Sequence, residues 1–336
     1  MAKICIYHAS DQDKEDFAEL SKNNEVKFFD GPLTAQGTDP GVEIISVFVG
    51  CDVNEKTIKS MPKLKFIACR STGYNNVDLA AAAKDKITVS NVPTYGEHTV
   101  TEYTLGLMLA LSRKLLDAVE QARVGEINAN LVHGHDLNGK TLGIIGLGKI
   151  GQNVARLGKA FGMKILAYDP FPNEKTAKDI GIEFVSLEKL LASADIVSLH
   201  APLNRDNHHM IGKEELASMK RGSILINTSR GELVDTLALV DALQSGHLAG
   251  AAIDVIEDES LLDVEEEEML LRKGRTSKRT LENAMAIDVL IKMMHNVIIT
   301  SHNAYNTLEA LQRINNTTVE NIEAFLSGNP KNVVTK

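Results

Sequence analysis

Between Lys3 and Pro93 short apolar runs (Lys3 to Tyr7, Val26 to Phe29, Ile44 to Val49, Lys65 to Cys69, Ile87 to Ser90) alternate with polar or helix-patterned segments. That alternation predicts parallel strands with helical crossovers, a doubly wound α/β sheet. The loop Arg70 to Asn76 leaves one such strand and precedes a helix starting near Val77. Loops at the carboxyl ends of parallel strands are where folds of this class bind ligands.

Thr99-Val100-Thr101-Glu102 has capping-box spacing, and the apolar periodicity after it predicts a helix reaching about Val119, long enough to mark a domain border. Residues 120 to 140 are polar and read as loop; His133-Gly134-His135 within them lacks a third metal ligand.

A second series of strands follows at Thr141 to Ile145, Met163 to Tyr168, Ile196 to His200, Ser223 to Thr228, Ala249 to Val255 and Val297 to Thr300. Helices are predicted at Gln152 to Phe161, Lys213 to Met219 and Asp235 to Ser245, making two βαβ halves, as a dinucleotide site needs. A polar excursion runs from Glu257 to about Leu281, and Thr307 to Phe325 reads as one amphipathic helix that folds back on the first domain.

The stretch Gly146-Leu147-Gly148-Lys149-Ile150-Gly151 joins the strand ending at Ile145 to the helix after it. With 24 glycines in 336 residues, roughly 0.1 chance matches to this pattern are expected, and its strand-turn-helix context makes it specific. The glycines let the backbone approach a pyrophosphate, and the free N–H groups and dipole of the helix N-terminus face the anion. Asp169 ends the next strand, where a carboxylate accepts both ribose hydroxyls and repels a 2′-phosphate, so the expected cofactor is NAD rather than NADP.

Composition narrows the partners. A formal charge of −9 without a basic stripe excludes a nucleic-acid surface. The acidic run Glu265 to Glu268 and the basic cluster from Arg272 to Arg279 read as a solvated helical hairpin. Three cysteines, Cys5, Cys51 and Cys69, without CxxC spacing fit a reducing compartment and small core residues. With neither a signal peptide pattern nor a membrane-length apolar run, the expected location is the cytoplasm.

Three strand ends in the second half carry polar groups suited to chemistry: Arg230 after Asn227-Thr228-Ser229, Asp254 with Glu257, Asp258 and Glu259 after Ile253, and His302 after Thr300-Ser301. A guanidinium can grip a carboxylate in a fork and polarise a neighbouring carbonyl; an imidazole can donate a proton as hydride arrives. Reduction of a 2-oxo acid needs both. The structural alternatives are a surface ion pair for Arg230 and a satisfied core histidine for His302. His200, in His200-Ala201-Pro202-Leu203, stands at another strand end bordering the cofactor.

Over nearly its whole length the chain resembles the D-isomer-specific 2-hydroxyacid dehydrogenases, on the lactate dehydrogenase side of that family. The likeness rests on the segment 139 to 151, Tyr168-Asp169-Pro170, Leu199 to Leu203, Asn227 to Gly231, Asp254-Val255 and Ser301 to Ala304. It implies a Rossmann NAD-binding domain, residues 99–302, inserted into a discontinuous flavodoxin-like substrate domain, residues 1–98 and 303–336, with a homodimer as the usual assembly.

By the same resemblance Arg230 binds and polarises the substrate, His302 donates the proton, and Glu259 pairs with His302. Thr72 and Gly73 offer N–H groups to the substrate carboxylate, Tyr95 contacts the substrate, and Phe48 and Tyr305 shape the side-chain pocket for a small acid. Gly146, Gly148, Lys149, Ile150, Gly151, Asp169, His200, Pro202 and Ser229 belong to the cofactor set; Thr228 and Asp254 touch the nicotinamide carboxamide and Asn207 the nucleotide side. No metal is implied. The chain departs from the family at Ser260, where a proline is usual, and in the length of the segment between Glu259 and His302.

The expected activity is NADH-dependent reduction of a small 2-oxo acid, pyruvate to D-lactate first. The alternatives are reductases of the glyoxylate/hydroxypyruvate, 2-oxoisocaproate or phosphoglycerate type, or a non-catalytic NAD-sensing corepressor.

Overall fold

The computed structural model describes residues 1–48, 50–125, 128, 130, 132–258 and 277–335. The chain divides into two compact units, Met1–Gly96 with Asn306–Lys336, and Glu97–Tyr305. Among the described residues, no helix is long and apolar enough to cross a membrane.

The first unit is a five-stranded parallel sheet of β1 (Lys3–Ile6), β2 (Glu25–Phe28), β3 (Ile44–Val47), β4 (Phe66–Cys69) and β5 (Thr88–Ser90), in the order β2-β1-β3-β4-β5. That is the flavodoxin-like order. Period-two alternation sends Cys5 and Tyr7 to one face, with Ile45, Ile67 and Val89, and sends Ile4 and Ile6 to the other, with Phe17, Ile44 and Phe66. Both faces are covered, which is why the strands read as continuous apolar runs.

The helix Leu308–Leu326 closes this second face. Ile322 is fully buried there, worth about 1.5–3 kcal/mol. Phe325 stacks on Phe66 with ring centroids 4.4 Å apart, and the Asn315 amide donates to Asp13 and Asp16 at 2.7 Å each. The C-terminal segment thus returns to the first sheet, as its amphipathic pattern predicts. All three cysteines are buried thiols, and burial pushes Cys5 up to about 11 and Cys69 up to about 12.

The second unit is a seven-stranded parallel sheet of β6 (Thr141–Ile145), β7 (Lys164–Tyr168), β8 (Glu183–Phe184), β9 (Ile196–Leu199), β10 (Ile224–Asn227), β11 (Gly250–Ile253) and β12 (Val297–Ile299). Its order is β12-β11-β10-β9-β6-β7-β8, the Rossmann arrangement with one further strand. Strand order reverses between β6 and β9, which are paired from Leu142–Ile196 to Ile145–Leu199. The crevice beyond their carboxyl ends is where such a sheet binds its ligand.

One expectation is corrected. The helix expected from Thr99 to Val119 starts earlier, at Glu97, and stops at Ser112; a second helix, Leu115–Arg123, follows a left-handed residue, Lys114. Thr99, the expected N-cap, therefore lies inside the helix, where the Thr101 and Thr104 hydroxyls donate to the carbonyls of Glu97 and Val100 one turn back. The stretch between Tyr168 and Ile196 holds the helices Glu174–Ile180 and Leu187–Ser193 around β8. Asn173 and Ser186 cap them by accepting from Thr176 N–H and Lys189 N–H. The excursion from residue 259 to 276 lies outside the described residues, whereas Lys278 and Arg279 open the helix Lys278–Met293.

Candidate active site

The glycine turn behaves as its sequence predicts. Gly146 has φ +93°, and a Cβ there would sit 2.7 Å from the Ala201 nitrogen, so only glycine lets β6 exit against the His200–Ala201 peptide. A Cβ on Gly151 would collide with the Gly146 carbonyl. The helix Lys149–Ala160 starts at Gly148 with no side-chain cap, and nothing lies within 4 Å of where a Gly148 Cβ would be. Uncapped N–H groups, the positive helix end and open space beside Gly148 fit a pyrophosphate.

Asp169 straddles that turn. One carboxylate oxygen accepts from Leu147 N–H and the other from Phe171 N–H, both at 2.9 Å. Each oxygen keeps a lone pair for a ribose hydroxyl. Lys149 reaches back to Glu97 at 2.6 Å, an exposed pair, while Ile150 packs against the core behind the turn.

At the end of β9, His200 holds Ser198 Oγ at 2.9 Å, and burial pushes its pKa down to about 4, so the ring is neutral at pH 7. Pro202 is exposed, and its carbonyl accepts from the Asn207 amide at 2.7 Å. The other end of Asn207 accepts from Asn204 N–H at 2.7 Å, so Asn207 closes the loop internally.

At the end of β10, the Asn227 side chain shapes the turn that presents Arg230. It accepts from Ser229 N–H at 3.0 Å and donates to the Arg230 carbonyl at 2.9 Å. Ser229 Oγ donates to the Ala201 carbonyl, tying this turn to the β9 exit. The Arg230 guanidinium donates to the Ser229 carbonyl at 2.6 Å, leaving most of its five donors for other partners. Thr228 Oγ1 lies 2.9 Å from Thr104 Oγ1; since Thr104 already donates to Val100, Thr228 is the donor of that bond.

The ends of β11 and β12 are organised by Asp254, only 1% exposed. Its Oδ1 accepts from the Thr300 hydroxyl at 2.5 Å and from Asn303 N–H at 2.8 Å, and its Oδ2 accepts from Ala304 N–H at 2.9 Å. Its backbone carbonyl takes His302 N–H at 2.8 Å. These bonds hold His302 in the left-handed region, φ +50°, with its ring edge-on to Tyr305 at 6.0 Å. The family resemblance puts Asp254 on the nicotinamide; in the structure its carboxylate faces the loop carrying His302. Glu259, the expected partner of His302, lies outside the described residues.

The remaining predicted residues belong to the first unit. The Thr72 hydroxyl donates to the Val92 carbonyl and its own carbonyl accepts from the Asn91 amide, both at 2.8 Å, fixing the loop of Thr72 and Gly73. The Tyr95 carbonyl accepts from Arg313 at 2.8 Å. Phe48 lies under Arg70, whose guanidinium carbon is 5.1 Å from the ring centroid. Sequence reasoning gave Arg70 no role, yet it is 2% exposed, pairs with Asp13 at 3.2 Å, and donates to the carbonyls of Tyr7 and His8. It fixes the strand ends around Phe48. Asn227, Thr104 and Thr300 were missed likewise; for Asn227 alone a local signal exists, an Asx turn two residues ahead of Ser229.

Comparison with known proteins agrees with this geometry. Residues 105–304 match the family model "D-isomer specific 2-hydroxyacid dehydrogenase, NAD binding domain". The 2-hydroxyacid dehydrogenase homolog 1 of Schizosaccharomyces pombe is 40% identical, with 97% of each chain covered. The D-lactate dehydrogenase of Escherichia coli is 33% identical, again with 97% of each covered. Among solved structures, the D-lactate dehydrogenase from Aquifex aeolicus complexed with NAD and lactic acid superposes with a TM-score of 0.83 at 34% identity, covering 99% of both chains. The glycine turn, Asp169 and these relatives agree: the chain belongs to the D-isomer-specific 2-hydroxyacid dehydrogenases and is an NAD-dependent oxidoreductase.

Proposed function

We propose that this enzyme reduces a small 2-oxo acid, pyruvate before others, to the D-2-hydroxy acid. The observation that supports it most is the Asp254 clasp on residues 300–304, which fixes an imidazole at a strand end of the Rossmann sheet. Bound NADH supplies the hydride. Gly146, Gly148 and Gly151, with the first turn of the helix Lys149–Ala160, hold the pyrophosphate; Asp169 takes the ribose hydroxyls and repels a 2′-phosphate. His200, Pro202 and Asn207 border the nucleotide, and Ser229 and Thr228 line the nicotinamide side.

Arg230 grips the substrate carboxylate in a fork and polarises the 2-oxo group, which lowers the cost of charge growing on the carbonyl oxygen. His302 gives that oxygen its proton, and Glu259 stabilises the imidazolium before transfer. The loop of Thr72 and Gly73 supplies N–H donors to the substrate carboxylate, and Tyr95 adds a contact. The aromatic side chains Phe48 and Tyr305 favour a methyl substituent over a bulky one. Similarity to D-lactate dehydrogenases supports the same substrate, the family resemblance supports a homodimer, and the lack of a signal-peptide pattern in the sequence supports a cytoplasmic location.

The test is NADH consumption across pyruvate, 2-oxobutyrate, glyoxylate, hydroxypyruvate, 2-oxoisocaproate and phenylpyruvate. Highest kcat/KM for pyruvate supports the proposal. A preference for phenylpyruvate or 2-oxoisocaproate would overturn the small-pocket assignment and leave the reaction class standing.

A further inference from the structure

Apart from the glycine turn and the His302 loop, a second group of chemically competent side chains gathers on the Rossmann unit. His208 and His209 come from the turn after β9, and Glu257 from the exit of β11. Among the described residues, these three offer ligand atoms all within 4.8 Å of one another. Glu257 Oε2 lies 3.1 Å from His209 Nε2, and Glu257 Oε1 lies 3.9 Å from His208 Nε2. Neighbouring residues seldom aim their side chains together. Here His209 adopts φ +52°, and the two rings stand 3.9 Å apart. A left-handed backbone at a non-glycine residue persists only where the surroundings impose it. His209 N–H donates to the Glu232 carbonyl at 2.8 Å and Ile211 N–H to Leu233 at 3.0 Å, so the turn is held on both sides.

We propose that His208, His209 and Glu257 form a binding site for a divalent transition metal of the Zn²⁺ class. Zinc bonds to imidazole nitrogen and carboxylate oxygen of about 2.0–2.1 Å put adjacent tetrahedral ligands about 3.4 Å apart; the 3.1 Å from His209 Nε2 to Glu257 Oε2 is near that spacing, and one ligand atom from each of the three residues falls within 4.8 Å of the others. Two imidazoles with one carboxylate suit zinc, nickel or copper; Mg²⁺ and Ca²⁺ prefer all-oxygen sets. Three protein ligands leave a fourth position for water.

Asp235 stands on the other side of His209, with Oδ2 3.7 Å from Nδ1, too far for a hydrogen bond but close enough to favour a ring that carries its proton on Nδ1 and leaves Nε2 for an ion. Arg279 is the competitor. Its Nη2 donates to Asp235 Oδ1 at 3.0 Å and, more weakly, to Glu257 Oε2 at 3.4 Å, so an ion at Glu257 displaces the longer of two bonds and leaves Arg279 on Asp235. A bound ion would tie the β9 exit to the β11 exit, two positions before Glu259.

The experiment uses the full chain without an affinity tag, stripped with chelator, and titrated with Zn²⁺ by calorimetry and with Co²⁺ by visible absorption. One equivalent of Zn²⁺ should bind, and Co²⁺ should give the intense bands of tetrahedral coordination, which Zn²⁺ displaces. His208→Ala and Glu257→Gln should each weaken Zn²⁺ by more than the about 10–100-fold that loss of an outer partner costs. His135→Ala, in a separate loop, should leave affinity unchanged. The His208 side chain is 53% exposed, so its removal leaves the fold intact, with circular dichroism as the check. Failure of the folded wild type to take up Zn²⁺, or equal affinity in the wild type and both ligand variants, would overturn the site.

Discussion

Replacing Asp254 by asparagine separates two roles for that side chain. The carboxylate accepts from Thr300 Oγ1, Asn303 N–H and Ala304 N–H, and all three bonds hold the loop that carries His302. Asparagine has one acceptor oxygen. If it replaces Oδ1, the amide nitrogen confronts Ala304 N–H, leaving a buried donor opposite a donor, while the other two bonds lose their charge. One unsatisfied buried donor and two weakened bonds amount to about 2–4 kcal/mol of lost stability. Urea denaturation at pH 7 measures that loss.

The catalytic consequence follows from position. A loop shift on the order of 1 Å costs about 100-fold in rate when the displaced group transfers a proton, whereas the glycine turn and Asp169 are untouched. Turnover with pyruvate should therefore fall about 10–100-fold while NADH affinity, followed by fluorescence titration, changes less than about threefold. An Asp254→Asn enzyme of wild-type stability whose NADH affinity falls as far as its turnover would refute this account. Its carboxylate would then act on the nicotinamide rather than on the loop.

Three further predictions concern separate residues. His302→Ala should abolish turnover and keep NADH binding; retention of most activity in steady-state assays would remove it as proton donor. Asp169→Ala should raise the NADP(H) to NAD(H) ratio of kcat/KM by at least about tenfold, since it deletes the charge that repels a 2′-phosphate and a bond worth on the order of 1.4 kcal/mol or more; an unchanged ratio would assign ribose recognition elsewhere. Burial holds His200 at about 4, below the ordinary 6.5, so between those pH values the unfolded chain binds a proton that the folded chain refuses. Stability should fall as pH drops through that window, by about 1.4 kcal/mol per pH unit from this group, and His200→Asn should flatten the slope in denaturation melts. His8, lowered by burial and by the Arg70 guanidinium, adds to the same slope.

Local chemistry made much of the fold legible. Buried parallel strands are continuous apolar runs, and a phosphate-binding turn needs glycines where the backbone reverses beside a helix start, as at Gly146 and Gly151. The strand-end positions of Arg230, Asp254 and His302 followed from the same logic, because β10, β11 and β12 are all parallel and end just before them. Failures came where partners lie far apart in sequence or elements are too short for a period. β8 has two residues, Glu183 and Phe184, too few to alternate. Thr99 to Glu102 has the spacing of a capping box, but the helix already starts at Glu97, so Thr99 sits within its first turn rather than before it. The Asp254 clasp joins residues 46 to 50 positions apart, and His209 meets Glu257 only because β9 and β11 end on the same side of the sheet. Nothing in a linear pattern encodes such meetings.

Incubating the purified enzyme with NADH and pyruvate, following absorbance loss, and resolving the product on a chiral column reads both the reaction and its stereochemistry. One lactate should form per NADH consumed, all of it the D-isomer. NADH binding without consumption across the 2-oxo acids, or formation of L-lactate, would contradict it.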